Sequence, residues 1–525
     1  MATELTAERT LAQLLQSAAD TYAEQVAIED DGEIITYTEL NRLRLRAAAA
    51  FHARGLRRGD HIAIWAPNSY HWIVAAIGAQ SLGIVLVPIN TRWKGAEAAY
   101  ALNRGRATLL FTVDEFLGQC YPQMLADQDL LTLRQTVLFQ GQAPGCESWD
   151  EFVAAGAGVD DAEVNALSAQ VQPGDLMDIA FTSGTTGAPK GVMAGHGQNI
   201  RIYQTWCDTV GLRDDDRYMI IAPFFHTFGY KAGWLACIIR GASIYPAPSF
   251  DLEQVLAQIE RCRITVLPGA PTIYHSLLAH PRLAEYDISS LRLAVTGAAP
   301  VPVELVHKMR NVLKFETVVT AYGLTESCGT VSICEADDPP EVISATSGHA
   351  IAGTELRIVD PQGKELPRDE PGEIWVRGYN VMQGYLDDPE QTALTINSEG
   401  WLMTGDVGWM NSDGYIQITG RLKDMFIVGG FNCYPAEIEN LLCGMEQVDQ
   451  AAVIGVPDER MGEVACAWLV PAPGAVLDES TVISWCRRNM ANYKVPRQVR
   501  VVDSLPTNAA GKVLKNQLRE LAEST

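Results

Sequence analysis

The stretch Phe181-Thr182-Ser183-Gly184-Thr185-Thr186-Gly187-Ala188-Pro189-Lys190-Gly191-Val192 directly follows the apolar pair Ile179-Ala180. Three glycines, four hydroxyls and one lysine fall within these twelve residues. Glycine lets a loop take positive φ and lets backbone N–H groups approach an anion closely. The hydroxyls add donors, and Lys190 adds a positive charge. This is the chemistry of a polyphosphate cradle. It is not a Walker A loop, because Gly191 rather than Ser or Thr follows the lysine and the glycine spacing differs.

Such a cradle works against the rest of the chain. With 40 Lys+Arg against 64 Asp+Glu, the net charge is −24. A field of that sign repels nucleic acid and anionic membranes, which excludes both as general partners. It also repels ATP unless basic residues are concentrated locally. One concentration stands between Trp485 and Arg519, where Arg487, Arg488, Lys494, Arg497, Arg500, Lys512, Lys515 and Arg519 face a single acid, Asp503. It reads as a positive patch facing an anion, or as a solvated helix face.

A chain of 525 residues exceeds one ordinary core, so two or more packed units are expected. Hydrophobic residues at 47% and charged residues at 20% mark it as globular. The eleven cysteines are odd in number and show neither metal-knuckle nor Cys-x-x-Cys spacing. With an acidic N-terminus lacking an apolar h-region, they read as free thiols in a cytoplasmic protein. The most apolar run, Ile73 to Ile89, is broken by Gly78, Gln80, Ser81, Gly83 and Pro88. It reads as a buried helix followed by a strand rather than a membrane span.

Helical spacing from Leu11 to Tyr22 leads to two short strands around Asp30-Asp31-Gly32, and Thr38 is a candidate cap for the helix that follows. Strand and helix then alternate, with apolar strand cores at 61–65, 84–88, 109–111, 219–221, 264–267 and 293–295. That alternation predicts βαβ units and parallel sheet. Residues 154–171 read as a surface excursion. After about Gly348 the segments 355–359, 372–377 and 415–418 alternate like half-exposed strands of a small antiparallel barrel. The expected fold is α/β: a large N-terminal domain over 1–420 with two mostly parallel sheets and a small β-barrel, a hinge at 421–424, and a small mobile α+β domain over 425–525.

Five further stretches carry chemistry-like composition. Residues 223–230 place His226 among aromatics, and 296–300 follow a strand with small residues. Residues 320–327 put Tyr322, Thr325 and Glu326 on one turn. Residues 401–408 hold Asp406 between glycines, as suits a diol, and 508–513 present Lys512 on a glycine turn. In this order and spacing, over nearly the whole chain, they resemble the adenylate-forming superfamily of acyl-CoA synthetases, adenylation domains and luciferase.

The resemblance implies that a carboxylate is joined to the α-phosphate of ATP, that pyrophosphate leaves, and that the acyl group passes to a thiol. It implies that Thr182, Ser183, Gly184, Thr185, Thr186, Gly187 and Lys190 hold the β- and γ-phosphates. Glu326 would ligate Mg²⁺ and Thr325 would contact the α-phosphate. Asp406 would bind the ribose with Arg421 assisting, and Gly297, Ala298, Ala299 and Tyr322 would surround adenine. Lys512 would bridge carboxylate and α-phosphate, His226 would lie near the carboxylate, and Lys423 would be the hinge. After adenylation the small domain would swing and bring Gly430 and Phe431 towards a CoA thiol. The family's aspartate for an amino-acid amine is missing from 224–230, which disfavours amino acids.

Small residues at 269, 270, 298 and 329, beside Phe225, Tyr230 and Lys231, predict a roomy apolar pocket. The runs 225–233 and 267–274 are especially similar to bacterial CoA ligases acting on the bicyclic propanoate left from steroid rings C and D. A bulky alicyclic or medium-chain acid is therefore expected. The alternatives are an enzyme that loads a carrier-protein phosphopantetheine and a non-catalytic acyl or nucleotide sensor. A homodimer is compatible with the sequence.

Overall fold

The computed structural model describes residues 9–182, 189–297, 301–428, 431–458, 460–490, 492–508 and 512–523, with backbone alone at 431 and 432. The helix–strand alternation builds the expected sheets. In the first, Val85–Pro88, His61–Trp65, Ala107–Thr112 and Gln135–Leu138 run parallel, and Leu176–Thr182 joins on the far side of Val85–Pro88. Lys190–Gly195 then returns antiparallel to Leu176–Thr182, and the two-residue strand Gly384–Tyr385 closes that edge. In the second, Arg217–Ile220, Ser243–Pro246 and Val26–Asp30 run parallel. Leu293–Thr296 pairs with Thr317–Tyr322, and Val266 bridges the two groups.

The apolar strands are continuous rather than alternating because helices cover both faces. The run from Ile73 folds as a helix, Tyr70–Ser81, buried from Trp72 to Ser81, followed by the strand Val85–Pro88. A Cβ on Gly78 would meet Ala47 Cβ at 2.6 Å, so this glycine lets the helix Tyr37–Ala53 cross closely. Among the described residues no helix is long and apolar enough to cross a membrane.

Some local expectations need correction. Thr36, not Thr38, caps the helix Tyr37–Ala53, its Oγ1 accepting from the Glu39 N–H at 3.2 Å. The excursion at 154–171 does lie mostly at the surface, and it contains a helix, Asp161–Ser168, with Asp160 as its cap. Residues 264–267 form single bridges at Val266 rather than a strand, because the parallel neighbours on both sides contact it at one residue only.

The antiparallel unit consists of Thr354–Val359, Gly372–Gly378, Leu402–Met410 and Ile416–Arg421 in that spatial order. Beyond it, a long hairpin of Val448–Asp458 and Gly462–Pro471 carries Gln498–Val501 and the helices Pro435–Cys443 and Glu479–Asn489. Phe426, Ile438, Leu442, Val453, Leu469 and Val482 form a core separate from that of the parallel sheets. All eleven cysteines are unpaired, and eight of them are buried.

Candidate active site

The two ends of the cradle are pinned to each other. Thr182 ends one strand, Lys190 begins the next, and the two are register partners. Ser183, Gly184, Thr185, Thr186 and Gly187 lie outside the described residues. Lys190 Nζ donates to Gln391 Oε1 at 2.5 Å and sits 5.1 Å from the centre of the Tyr385 ring. The Tyr385 hydroxyl donates to Glu326 Oε1 at 2.9 Å, and the Met382 N–H donates to the Glu326 carbonyl at 2.8 Å. The edge strand therefore ties the lysine of the cradle to the Glu326 turn.

Thr325 and Glu326 lie in a one-turn 3₁₀ helix, Thr325–Ser327, directly after the strand Thr317–Tyr322. Glu326 Oε2 has no hydrogen-bond partner among the described residues. No cluster of three or more His, Cys, Asp or Glu that could hold a metal exists among them. A magnesium ion at Glu326 would complete its shell with phosphate oxygens and water, which fits the hard oxygen-ligand chemistry of that ion.

Asp406 and Arg421 face each other across two antiparallel strands, with Arg421 Nε 2.8 Å from Asp406 Oδ1. Asp406 is 3% exposed. The Tyr322 hydroxyl donates to its other oxygen at 2.6 Å. Burial, and then the adjacent carboxylate, push the Tyr322 phenol well above its ordinary range, so it remains a donor. Gly405, at φ +68°, lies where the strand Leu402–Met410 shifts register against Gly372–Gly378, and donates its N–H to Glu373 Oε1 at 3.0 Å. Gly297 follows the strand Leu293–Thr296, and a Cβ there would meet only the Ala321 carbonyl, at 3.4 Å. Ala298 and Ala299 lie outside the described residues.

Lys512 is held by a tight return of the chain. Its N–H donates to Asn508 Oδ1 at 2.9 Å, its carbonyl accepts from the Asn508 N–H at 2.8 Å, and Thr507 bridges Val513. Burial, and then the Arg421 cation, push its ammonium down to about 8, with Asp406 opposing. His226, on the turn after the strand Arg217–Ile220, accepts from the Phe228 N–H through Nδ1 at 3.2 Å. Burial, and then the Lys512 cation, push its ring down to about 4. Both side chains nonetheless keep solvent-accessible surface. They form the open cleft between the lobes, and the directions of the shifts follow from the neighbouring protein and cations. The cleft thus brings Lys512 from the small lobe together with His226, Asp406 and Arg421 from the large one.

Lys423 sits in the turn after Arg421, where burial and then Arg421 push it down while Asp424 pulls it up. Phe431 begins the strand Phe431–Cys433, and Gly430 lies outside the described residues. Of the basic patch, Arg487, Arg488, Arg497 and Lys512 are exposed, and the other four are half-buried against partners within the chain. Lys515 pairs with Glu439 at 2.6 Å, Arg519 with Asp424 at 2.9 Å, and Lys494 with Glu437. Arg500 lies over the Trp468 ring at 5.0 Å.

The acid-side segments also need correction. Tyr230 and Lys231 are 1% and 2% exposed and turn into the core. A Cβ on Gly269 would meet Ile273 Cδ1 at 2.6 Å, and one on Gly329 would meet the Tyr203 hydroxyl at 2.3 Å. These glycines make way for neighbouring side chains and do not open a cavity. Sequence reasoning missed Tyr385, Gln391 and the hydroxyl role of Tyr322, which no local motif signals.

The model described as AMP-binding enzyme matches residues 15–386, and that described as AMP-binding enzyme C-terminal domain matches 437–512. The chain is 50% identical over 512 residues to a Rhodococcus jostii (strain RHA1) ligase named for joining CoA to a 7a-methyl-1,5-dioxo-octahydro-1H-inden-4-yl propanoyl group. That alignment covers 96% of this chain and 97% of the relative. A Mycobacterium tuberculosis relative of the same name is 48% identical, with 98% and 99% covered. Among solved structures, the anthranilate CoA ligase AuaEII in complex with anthranoyl-AMP superposes with a TM-score of 0.90 at 28% identity, covering 100% and 99%. ATP-bound MatB from Rhodopseudomonas palustris gives 0.86 at 32% identity, covering 98% and 99%. The two matched models together take in most of the chain, up to Lys512, and the chain is a member of the AMP-binding enzyme family.

Proposed function

We propose that this chain is an AMP-forming acid–thiol ligase that activates a hydrindanedione propanoate and passes it to CoA. Its co-substrates are ATP and CoA, with Mg²⁺ neutralising phosphate charge. The observation that carries the choice of acid is 50% and 48% identity, over almost the full length, to two ligases named for that propanoyl group.

The geometry suits the first half-reaction. Charge develops on the α-phosphate and on the leaving pyrophosphate, so cations and donors already in place lower the barrier most. Thr182 and Lys190 would hold the β- and γ-phosphates together with the cradle between them. Glu326 would hold Mg²⁺, Thr325 the α-phosphate, and Asp406 with Arg421 the ribose, while Gly297 and Tyr322 flank adenine. Lys512 would bridge the acid and the α-phosphate, and a neutral His226 leaves the substrate carboxylate ionised and able to attack. Residues 1–420 would be one domain and 425–525 another that moves about 421–424, with Lys423 as the hinge and Gly430-Phe431 meeting CoA after the swing.

The test is a panel of acids with ATP, Mg²⁺ and CoA, read as AMP and CoA thioester. The hydrindane propanoate is expected to give the highest kcat/KM. Preference for hexanoate or benzoate would discard the choice of acid. Thioester on a phosphopantetheinylated carrier protein but not on CoA would discard the acceptor.

A further inference from the structure

The turn on the acid side and the strand that feeds the cradle are joined by two polar bridges inside the core. Lys231 Nζ lies 2.9 Å from Asp178 Oδ1, with the side chains 2% and 1% exposed. Asn199 Nδ2 donates to Asp178 Oδ2 at 3.0 Å. One residue earlier on each segment, Gln80 Nε2 donates both to the Met177 carbonyl, at 3.0 Å, and to the Tyr230 hydroxyl, at 2.6 Å. Asp178 stands four residues before Thr182 on the same strand, and Lys231 stands five residues after His226.

Stability does not account for this arrangement. Taking both charges out of water costs several kcal/mol per ion, and well-packed apolar residues of similar volume often match or exceed such a pair. The turn Tyr230–Leu235 is π-helical and buried throughout, Lys231 included. Such widened turns occur frequently at functional sites.

We propose that Asp178–Lys231, with Gln80–Tyr230 beside it, is a positioning pair. It fixes the turn bearing His226 against the strand bearing Thr182, and so sets the approach of the acid carboxylate to the α-phosphate of ATP. The inference rests on the ligase reading above. Both side chains are buried, and both act through His226 and Thr182.

Removing Lys231 alone would leave a buried carboxylate without its cation, so the test removes both charges in Asp178→Asn/Lys231→Met. Acid-dependent pyrophosphate exchange by the wild type comes first. If the wild type exchanges with no acid of the panel, the ligase reading is lost and this proposal falls with it.

Given wild-type exchange, the double variant is expected to keep its melting temperature and its ATP affinity. Its kcat for exchange should fall roughly 10- to 100-fold, the scale of an ångström-sized misplacement of reactants. Lys231→Arg, which keeps the cation, should recover most of the rate. A double variant that holds its melting temperature and exchanges at the wild-type kcat overturns the proposal. So does a loss of rate that only tracks lost folded protein. If the double variant does not fold, Tyr230→Phe decides: a lower kcat at unchanged melting temperature supports the proposal, and an unchanged kcat overturns it.

Discussion

The Tyr322 hydroxyl donates to Asp406 across 2.6 Å and so joins a strand of the second α/β sheet to the antiparallel sheet. With Arg421 on the other oxygen, the carboxylate is aimed before any nucleotide arrives. Hydrogen bonds to charged groups contribute about 1.5–3 kcal/mol. Tyr322→Phe should therefore weaken ATP binding by about tenfold, and Asp406→Asn by about tenfold or more. Calorimetric titration of ATP into each variant checks both. Equal affinity in Tyr322→Phe would mean that Arg421 alone orients the carboxylate.

Lys512 sets the alkaline side of the rate profile. Its ammonium titrates at about 8 instead of 10.5, so the cation is present below pH 8 and lost above it. The kcat/KM of acid-dependent pyrophosphate exchange should fall as pH rises through 8. Bound ATP places negative charge beside the ammonium and favours its charged form, so the same limb in kcat should lie at higher pH. Lys512→Ala should lose about 10²- to 10³-fold in exchange, the scale of one removed charge-stabilising donor, with ATP binding retained. Exchange that does not respond to this substitution would remove the lysine from the reaction.

Glu326 and Tyr385 are predicted to act as a unit on magnesium. The hydroxyl at 2.9 Å fixes Oε1 and leaves Oε2 for the ion. Glu326→Gln should raise the Mg²⁺ concentration needed for half-maximal exchange by about tenfold or more, through loss of a charged ligand. Tyr385→Phe should raise it less, because it frees the carboxylate to rotate without removing its charge. Magnesium titrations at fixed ATP separate the two.

His196 makes the protein acid-sensitive. It is fully buried, its Nδ1 accepts from the Leu11 N–H at 3.3 Å, and burial pushes it down from 6.5 to about 4. The unfolded chain takes up a proton below 6.5, whereas the folded chain resists until about 4. Stability is therefore complete above pH 6.5 and declines as pH falls, by about 3 kcal/mol from this group at pH 4. His196→Asn keeps an acceptor but cannot titrate. Its melting temperature should change less between pH 7 and 5 than that of the wild type.

The parts of the site legible in the sequence were those carried by a local motif: the cradle, the Glu326 turn, Asp406 between glycines, and Lys512 on its return. The partners that aim them were not legible. Gln391 is 201 residues from Lys190, and the strand that brings Tyr385 to the cradle is two residues long, too short for alternation to register. The burial of Lys231 was hidden for the same reason, since Asp178 lies on another element. Glycines 269 and 329 misled because a missing side chain reads alike whether it opens space or yields it to Ile273 and Tyr203. Charge counting located the basic patch but could not show that Glu437, Glu439 and Asp424 answer three of its members.

The distribution of thiols decides how the protein is lost on heating. In the folded chain, burial pushes Cys207 and Cys328 up to about 12 and keeps thiolate, the reactive form, scarce. Mild oxidants and alkylating reagents therefore meet chiefly Cys120 and Cys146, since burial also pushes Cys443 up to about 12. Unfolding presents all eleven at once. Where the denatured chains cross-link in air before they refold, inactivation becomes irreversible and dependent on scan rate. A reductant will restore reversibility without altering the native enzyme, which holds no disulfide to reduce.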